Sequence, residues 1–182
     1  MPEEAYWESL FNVPLILDTL GVGAGLRDVV EVGCGYGTFT VPVAQRISGA
    51  VQAFDLEPGM IGRTQQRVRE AGLTNVVLHR RDVLAAGFGL QPRSFDGVLL
   101  FNILHAEKPE MLLQASAELL VPGGRVLAIH WRSDIPTPRG PDLSIRPRPE
   151  PLAALARECG LAGPQEVHLL APWHFGLVLT RA

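Results

Sequence analysis

The sequence predicts an α/β fold, a mostly parallel sheet finished by an antiparallel C-terminal hairpin, and three observations carry that prediction. Residues 28 to 40 read Asp-Val-Val-Glu-Val-Gly-Cys-Gly-Tyr-Gly-Thr-Phe-Thr. This is a β-branched run closed by Gly33, Gly35 and Gly37 and followed by an apolar helical pattern: strand, tight turn, helix. Strand-like and helix-like segments go on alternating as far as residue 129, the pattern of a parallel sheet with crossover helices. Near the end, Val167 to Leu170 and Phe175 to Leu179 are joined only by Ala171-Pro172-Trp173-His174. That link is too short for a crossover, so those two strands pair as a hairpin.

At 182 residues the chain has the size of one domain, and 47% hydrophobic with 19% charged residues is an ordinary globular composition. The net charge of -3 gives no general attraction to polyanions, so nucleic acid and anionic membrane are disfavoured as partners. The first residues, Met-Pro-Glu-Glu-Ala-Tyr-Trp-Glu, lack a basic leader, and no apolar run approaches a membrane span. A cytoplasmic location is the default expectation. Cys34 and Cys159 are too few for a disulfide framework or a tetrahedral zinc site.

In chain order, residues 4 to 20 place Tyr6, Leu10, Val13, Leu17 and Leu20 at helical steps, with Pro14 as a kink or break. The strand Val29 to Val32 runs into the glycine turn, whose missing Cβ atoms let a ligand lie against the backbone. Its spacing is G-x-G-x-G. Thr38 stands where a dinucleotide fingerprint wants a third glycine, and Glu31 sets a carboxylate where a pyrophosphate is unwelcome. Residues 38 to 48 follow as a helix capped by Thr38 or Thr40. The strand 50 to 54 ends at Asp55, placed beside the first turn to accept ribose hydroxyls, or alternatively to cap the helix beginning at Pro58. That helix runs to residue 71 with Arg63, Arg67 and Arg69 on a solvated face, and Gly72 closes it.

A third strand, Asn75 to His79, leads to Arg80-Arg81-Asp82-Val83. The fourth, Phe95 to Phe101, is apolar nearly throughout and runs into Asn102-Ile103-Leu104-His105. A helix from Glu107 to Leu120 is stopped by Val121-Pro122-Gly123-Gly124, and Arg125 to Ile129 is the fifth strand. Residues 130 to 151 then hold six prolines and four arginines, which forbids regular structure in a segment long enough to be functional. Arg132, Arg139, Arg146 and Arg148 could offer guanidinium forks to an anionic substrate, or could pair with Asp134, Asp142 and Glu150 in a rigid surface crossover. A helix from Pro151 to Cys159, closed by Gly160, precedes the hairpin.

The ordered set of Glu31 to Gly37, Asp55, Asp82, Asn102 and Pro122 to Gly124 spans about 100 residues. It resembles the class I, Rossmann-like methyltransferases that use S-adenosylmethionine (SAM), especially the ubiquinone/menaquinone-methylase-like group. The resemblance implies a three-layer fold with a seven-stranded sheet, organised as a single domain over residues 1–182. It makes residues 1–25 a helical lid, with Tyr6, Trp7 and Phe11 facing substrate, the alternative being an amphipathic helix packed on the sheet; the loop 130–151, leaving the fifth strand at its carboxyl end, is expected over the active site. It implies that Glu31, Gly33, Cys34, Gly35 and Gly37 line the cofactor turn and that Asp55 takes the ribose. Leu56 would pack on the adenine, Asp82 accept its amine, the Val83 amide meet a ring nitrogen, and Asn102 line the transfer chamber. An N-P-P-Y tetrapeptide of amino-directed DNA methyltransferases is missing. So is a trio of oxygen ligands for magnesium, since Asn102 stands where a carboxylate is wanted; no metal is expected.

Methyl transfer from SAM needs chiefly an aligned nucleophile, exclusion of water and, for some acceptors, a base. His105 and His130, at the exits of the fourth and fifth strands, are the candidate bases, or else caps and wall residues; His79, His168 and His174 have weaker claims. His130, Arg132, Arg139 and Arg146 join Tyr6, Trp7 and Phe11 as the candidate substrate contacts. Three functions stay open: a methyltransferase of small molecules, anionic ones if the loop arginines face substrate, an NAD-binding oxidoreductase, and a non-catalytic SAM-binding or interaction protein.

Overall fold

The computed structural model describes residues 2–182 and forms two compact units, one ending at Gly89 and one beginning at Leu90. No helix among the described residues is long and apolar enough to cross a membrane.

In the first unit the expected leading helix is two helices, α1 (Glu4–Ser9) and α2 (Val13–Thr19). The break precedes Pro14, which sits in the first turn of α2 where its missing N–H costs nothing, and Asn12 caps that turn through the Leu15 amide. α2 buries Ile16 and Leu17, whereas α1 buries no residue. Strands β1 (Val29–Val32), β2 (Val51–Asp55) and β3 (Val76–Arg80) are parallel in the order β3-β2-β1, with Val29 opposite Val51 and Val51 opposite Val76. All four residues of β1 are buried, as for a strand covered on both faces.

The connection α3 (Thr40–Ala44) is shorter than expected, and neither threonine caps it. Its N-cap is Phe39, without a side-chain bond, because the Thr40 hydroxyl is used by Glu31. Helix α4 (Pro58–Glu70) starts at a proline and turns Thr64 and Val68 inward. Asp55 does not cap it. The short α5 (Val83–Ala86) is capped by the Asp82 carboxylate.

The second unit holds β4 (Phe95–Phe101), α6 (Pro109–Leu119), β5 (Leu120–Trp131), α7 (Pro149–Glu158), β6 (Leu161–Ala162), β7 (His168–Leu170) and β8 (His174–Arg181). β4 and β5 are parallel. Phe95 pairs with Leu120 and Gly97 with Arg125, so the Val121-Pro122-Gly123-Gly124 run is looped out between two paired positions. β8 lies antiparallel to β5 from Arg125–Thr180 to Trp131–His174, and β7 pairs back onto β8 as the predicted hairpin. The order is β4-β5-β8-β6. The eighth strand, β6, is the departure from the seven expected: Leu161 and Ala162 pair with Arg181 and Thr180, too short a run to show periodicity. Between β5 and α7 only Leu143–Ile145 is regular, as one 3-10 turn.

Candidate functional site

The glycine turn of the first unit is built from both sides. The amides of Gly33 and Cys34 donate to the Phe54 carbonyl at the end of β2, at 2.8 and 3.0 Å, and the Gly37 amide donates to the Cys34 carbonyl. Gly33, Gly35 and Gly37 all have φ between 55° and 78°, the left-handed region where side chains are strained. At Gly37 a Cβ would also stand 3.1 Å from the Thr64 methyl. Thr64 donates its hydroxyl to the Gly35 carbonyl at 2.8 Å, locking the turn onto α4. Cys34 is buried beneath the turn with its thiol pushed far above the usual range by burial, a packed small residue rather than a nucleophile.

Three carboxylates rim this turn's end of β1, β2 and β3. Asp55 accepts from the Gly35 amide with one oxygen and from the Glu57 amide with the other, each at 2.9 Å. Glu31 is 2% exposed, and its bond from the Thr40 hydroxyl is 2.5 Å long. Burial, helped by the negative charge of Asp55, pushes its carboxyl up to about 7. Asp82 accepts from the Leu84 and Ala85 amides with one oxygen. Beside it Val83 is buried, while Leu56 is 57% exposed, an apolar side chain held in solvent after Asp55. Thr38 is buried, yet its hydroxyl has no partner. An unsatisfied polar atom at a glycine cradle suits a ligand that supplies the missing bond.

The leading helix is tied to this region. Arg63 grips Glu4 through two bonds of 2.7 and 2.9 Å, Arg67 bonds Glu4, Glu8 and the Tyr36 carbonyl, and the Tyr36 hydroxyl donates to the Pro2 carbonyl at 2.6 Å. Two of the three arginines read as a solvated face are therefore fasteners for α1. Trp7, Phe11 and Phe39 form an edge-on ladder with centroids 4.8 and 5.3 Å apart, and Tyr6 is 42% exposed.

In the second unit a separate group gathers at the exits of β4 and β5. His130 is fully buried; its Nε2 lies 3.2 Å from Nδ1 of half-buried His105, and its own Nδ1 lies 3.3 Å from the Trp131 carbonyl. Desolvation pulls His130 down to about 4 and lowers His105. Buried His174, against Trp131, is held down to about 3 for the same reason. Asn102 adopts φ 56°, and neither polar atom of its carboxamide has a partner. His79 belongs to the first unit, bonded to Gln52 and stacked on Phe54, and His168 pairs with Glu166.

The loop after β5 uses its arginines unequally. Arg146 donates to the carbonyls of Pro141, Arg132 and Arg139 and to the Thr137 hydroxyl. Gly140 (φ 122°) lets the chain pass where a Cβ would stand 2.9 Å from the Trp131 ring. Arg132 forks onto Asp134 at 2.9 and 2.6 Å, while the exposed Arg139 side chain has no protein partner. Arg146 was not recognisable as the loop's internal fastener because its acceptors are backbone carbonyls. No group of three metal-ligating side chains comes together among the described residues.

Comparison with known proteins follows the same lines. Residues 29–124 match the family model described as a methyltransferase domain. A ubiquinone biosynthesis O-methyltransferase of an Azoarcus species is 33% identical over 116 residues, 62% of this chain and 48% of that protein. The chain spans about half the length of the curated relatives it matches. Among solved structures, a SAM dependent methyltransferase from Aquifex aeolicus superposes with a TM-score of 0.85 at 19% identity, covering 99% of this chain and 94% of that one. The [4+2]-cyclase SpnF gives 0.76 at 14% identity, covering 93% and 79%. These likenesses establish the Rossmann-like fold that the residues predict. With the family model covering more than half of its length, the chain belongs to the methyltransferase domain family.

Proposed function

We propose that this protein transfers a methyl group from SAM to a small-molecule acceptor. The observation that carries the reading is the bond from the Gly35 amide to the Asp55 carboxylate, which joins the glycine turn and the ribose-binding carboxylate into one rim. Glu31, Asp55 and Asp82, from three parallel strands, then hold an adenosyl ligand along the ends of β1 to β3. Gly33, Gly35 and Gly37 give the backbone its close approach, Cys34 fills the space below, Leu56 covers the adenine, and the Thr38 hydroxyl awaits an acceptor or donor. SAM supplies a methyl group already activated on sulfur. What this chain supplies is orientation, a dry site, and a carboxyl at Glu31 that ionises to meet a cation.

The NAD reading is not favoured. The antiparallel β8 against β5 is foreign to the nicotinamide fold the sequence left open. The lid role of Tyr6, Trp7 and Phe11 is supported by the fastening of α1 to the turn and to α4. Within the second unit Asn102, His105 and His130 are the proposed acceptor-facing polar groups. For an anionic acceptor Arg139 and Arg148 are the guanidinium groups that remain, Arg132 being shared with Asp134 and Arg146 with the loop backbone.

Calorimetric titration with SAM, S-adenosylhomocysteine and NADH tests the reading, followed by methyl transfer from labelled SAM to a panel of small acceptors. Binding of both adenosyl ligands without NADH, together with turnover, is expected. Binding of NADH alone overturns the proposal, and SAM binding with no turnover on any acceptor makes the protein a SAM-binding module.

A further inference from the structure

The second unit holds a cavity of about 260 Å³ whose walls come from three places in its sequence. One wall is the β7–β8 hairpin. Leu169 pairs directly opposite Phe175, so the two share a face, and Val167 stands two residues before Leu169 in the same alternation. Phe175 is buried, but Leu169 is 69% exposed and Val167 is exposed with it, an apolar surface left open at the cavity. The other walls are charged. The exit of β5, tied to the hairpin by the Arg132 amide donating to the Trp173 carbonyl at 2.9 Å, brings Arg132 and Asp134. The start of α7 brings Arg148 and Glu150, and the rings of Pro149 and Pro151 fix the backbone that carries them.

These four charges are not used alike. Arg132 and Asp134 satisfy each other through two bonds of 2.9 and 2.6 Å. Arg148 and Glu150 are both exposed, no ion pair joins them to each other or to any described residue, and the Arg148 side chain makes no cap bond to α7. One free cation and one free anion thus border an apolar floor, in a lining that is neutral overall. A phosphate or a dicarboxylate would meet two carboxylates along with the two guanidinium groups, and a plain hydrocarbon would leave both free charges unused. The volume falls just under the roughly 300 to 1,000 Å³ of pockets for drug-sized ligands, a size for a single amino acid rather than a nucleotide.

We propose that this cavity binds a zwitterionic amino acid with an apolar side chain, its carboxylate on Arg148, its ammonium on Glu150 and its side chain against Val167, Leu169 and Phe175. The guanidinium offers a carboxylate two parallel N–H donors, and the ammonium offers donors that the Glu150 carboxylate accepts. Each free charge gains a partner, and the ligand's side chain covers the apolar surface that the hairpin exposes. Every contact belongs to the second unit, and binding is expected with no SAM present.

Calorimetric titration of the full chain with L-leucine in the absence of SAM tests this, with N-acetyl-L-leucine, L-leucinamide and glycine as comparison ligands. Saturable binding of leucine is expected, weakened about 10- to 100-fold when its ammonium or its carboxylate is blocked, and about tenfold or more in glycine, which lacks the apolar side chain. Arg148→Gln and Glu150→Gln should each weaken leucine about 10- to 100-fold with an unchanged melting temperature, since both side chains are exposed and unpaired. The variants also tell the two ends of the ligand apart: Arg148→Gln should leave the affinity for leucinamide as it was, and Glu150→Gln that for N-acetyl-leucine. Leucine that fails to bind, binds no better than glycine or N-acetyl-leucine, or binds both variants as it binds the native chain overturns the proposal. Binding of inorganic phosphate in place of leucine also overturns it, by making the cavity a site for anions.

Discussion

The two units respond to burial in opposite ways. In the first, a carboxyl enclosed beside a second carboxylate is pushed up, so Glu31 sits near 7; in the second, enclosed imidazoles are pulled down, to about 4 at His130 and about 3 at His174. Both shifts have the same origin, the cost of a charge in a low dielectric. They differ in how each unit can take up a positive charge. Glu31 can do it by losing a proton as a cation approaches, and His130 by gaining one.

The largest effect that would sharpen this division is expected at Asp55. Asp55→Ala removes charge-assisted ribose contacts and should weaken SAM by about 2–3 kcal/mol, roughly 30- to 150-fold in Kd, with the rate at saturating SAM little changed. An unchanged Kd would show that the ribose is held elsewhere. Next comes pH. If a cation binds best to ionised Glu31, SAM affinity should rise as pH increases through about 7 and level off above it, with at most about tenfold per pH unit below. Glu31→Gln should flatten that dependence. Calorimetry in buffers of different ionisation enthalpy would detect the released proton directly.

The free protein offers a related check with opposite signs in the two units. Glu31, raised when folded, binds more protons in the native state between 4.5 and about 7, so its contribution to stability is present below 4.5 and lost as pH rises through about 7. His130 is lowered, so the unfolded chain binds more protons between about 4 and 6.5, and its contribution is lost as pH falls through that window. The melting temperature of Glu31→Gln relative to the native chain should therefore rise from pH 5 to pH 8. A constant difference would show that the carboxyl is not raised.

Much of this was legible in the residues. The β-branched run before Gly33 and the carboxylates at strand ends fixed the first unit's rim, because a parallel sheet brings consecutive strand ends to one edge. The hairpin was legible from a link too short for a crossover. What escaped were contacts whose partner lies far along the chain or on the backbone. The pairing of His105 with His130 depends on the register of β4 with β5, and Arg63 and Arg67 meet Glu4 and Glu8 across 59 residues or more. Thr40 looked like a helix cap because local spacing cannot reveal a buried carboxylate competing for its hydroxyl.

Two smaller effects separate structure from recognition in the loop and the leading helix. Arg146→Ala should raise amide exchange across residues 132–146, since four bonds within the loop are lost, whereas Arg139→Ala should raise KM for an anionic acceptor and leave exchange alone. Equal behaviour of the two would return Arg139 to a structural role. Smallest of all, Glu4→Gln weakens a half-buried ion pair and should speed proteolysis within the first eleven residues with little change in the melting temperature.

The most direct measurement is the crystal structure of the protein with S-adenosylhomocysteine. The account predicts both ribose hydroxyls within hydrogen-bond distance of the Asp55 carboxylate, the adenine against Leu56 and the Asp82–Val83 corner, and the amino acid portion at Glu31 and the glycine turn. Density for the nucleoside anywhere else, with Asp55 still bonded only to the amides of Gly35 and Glu57, would contradict it.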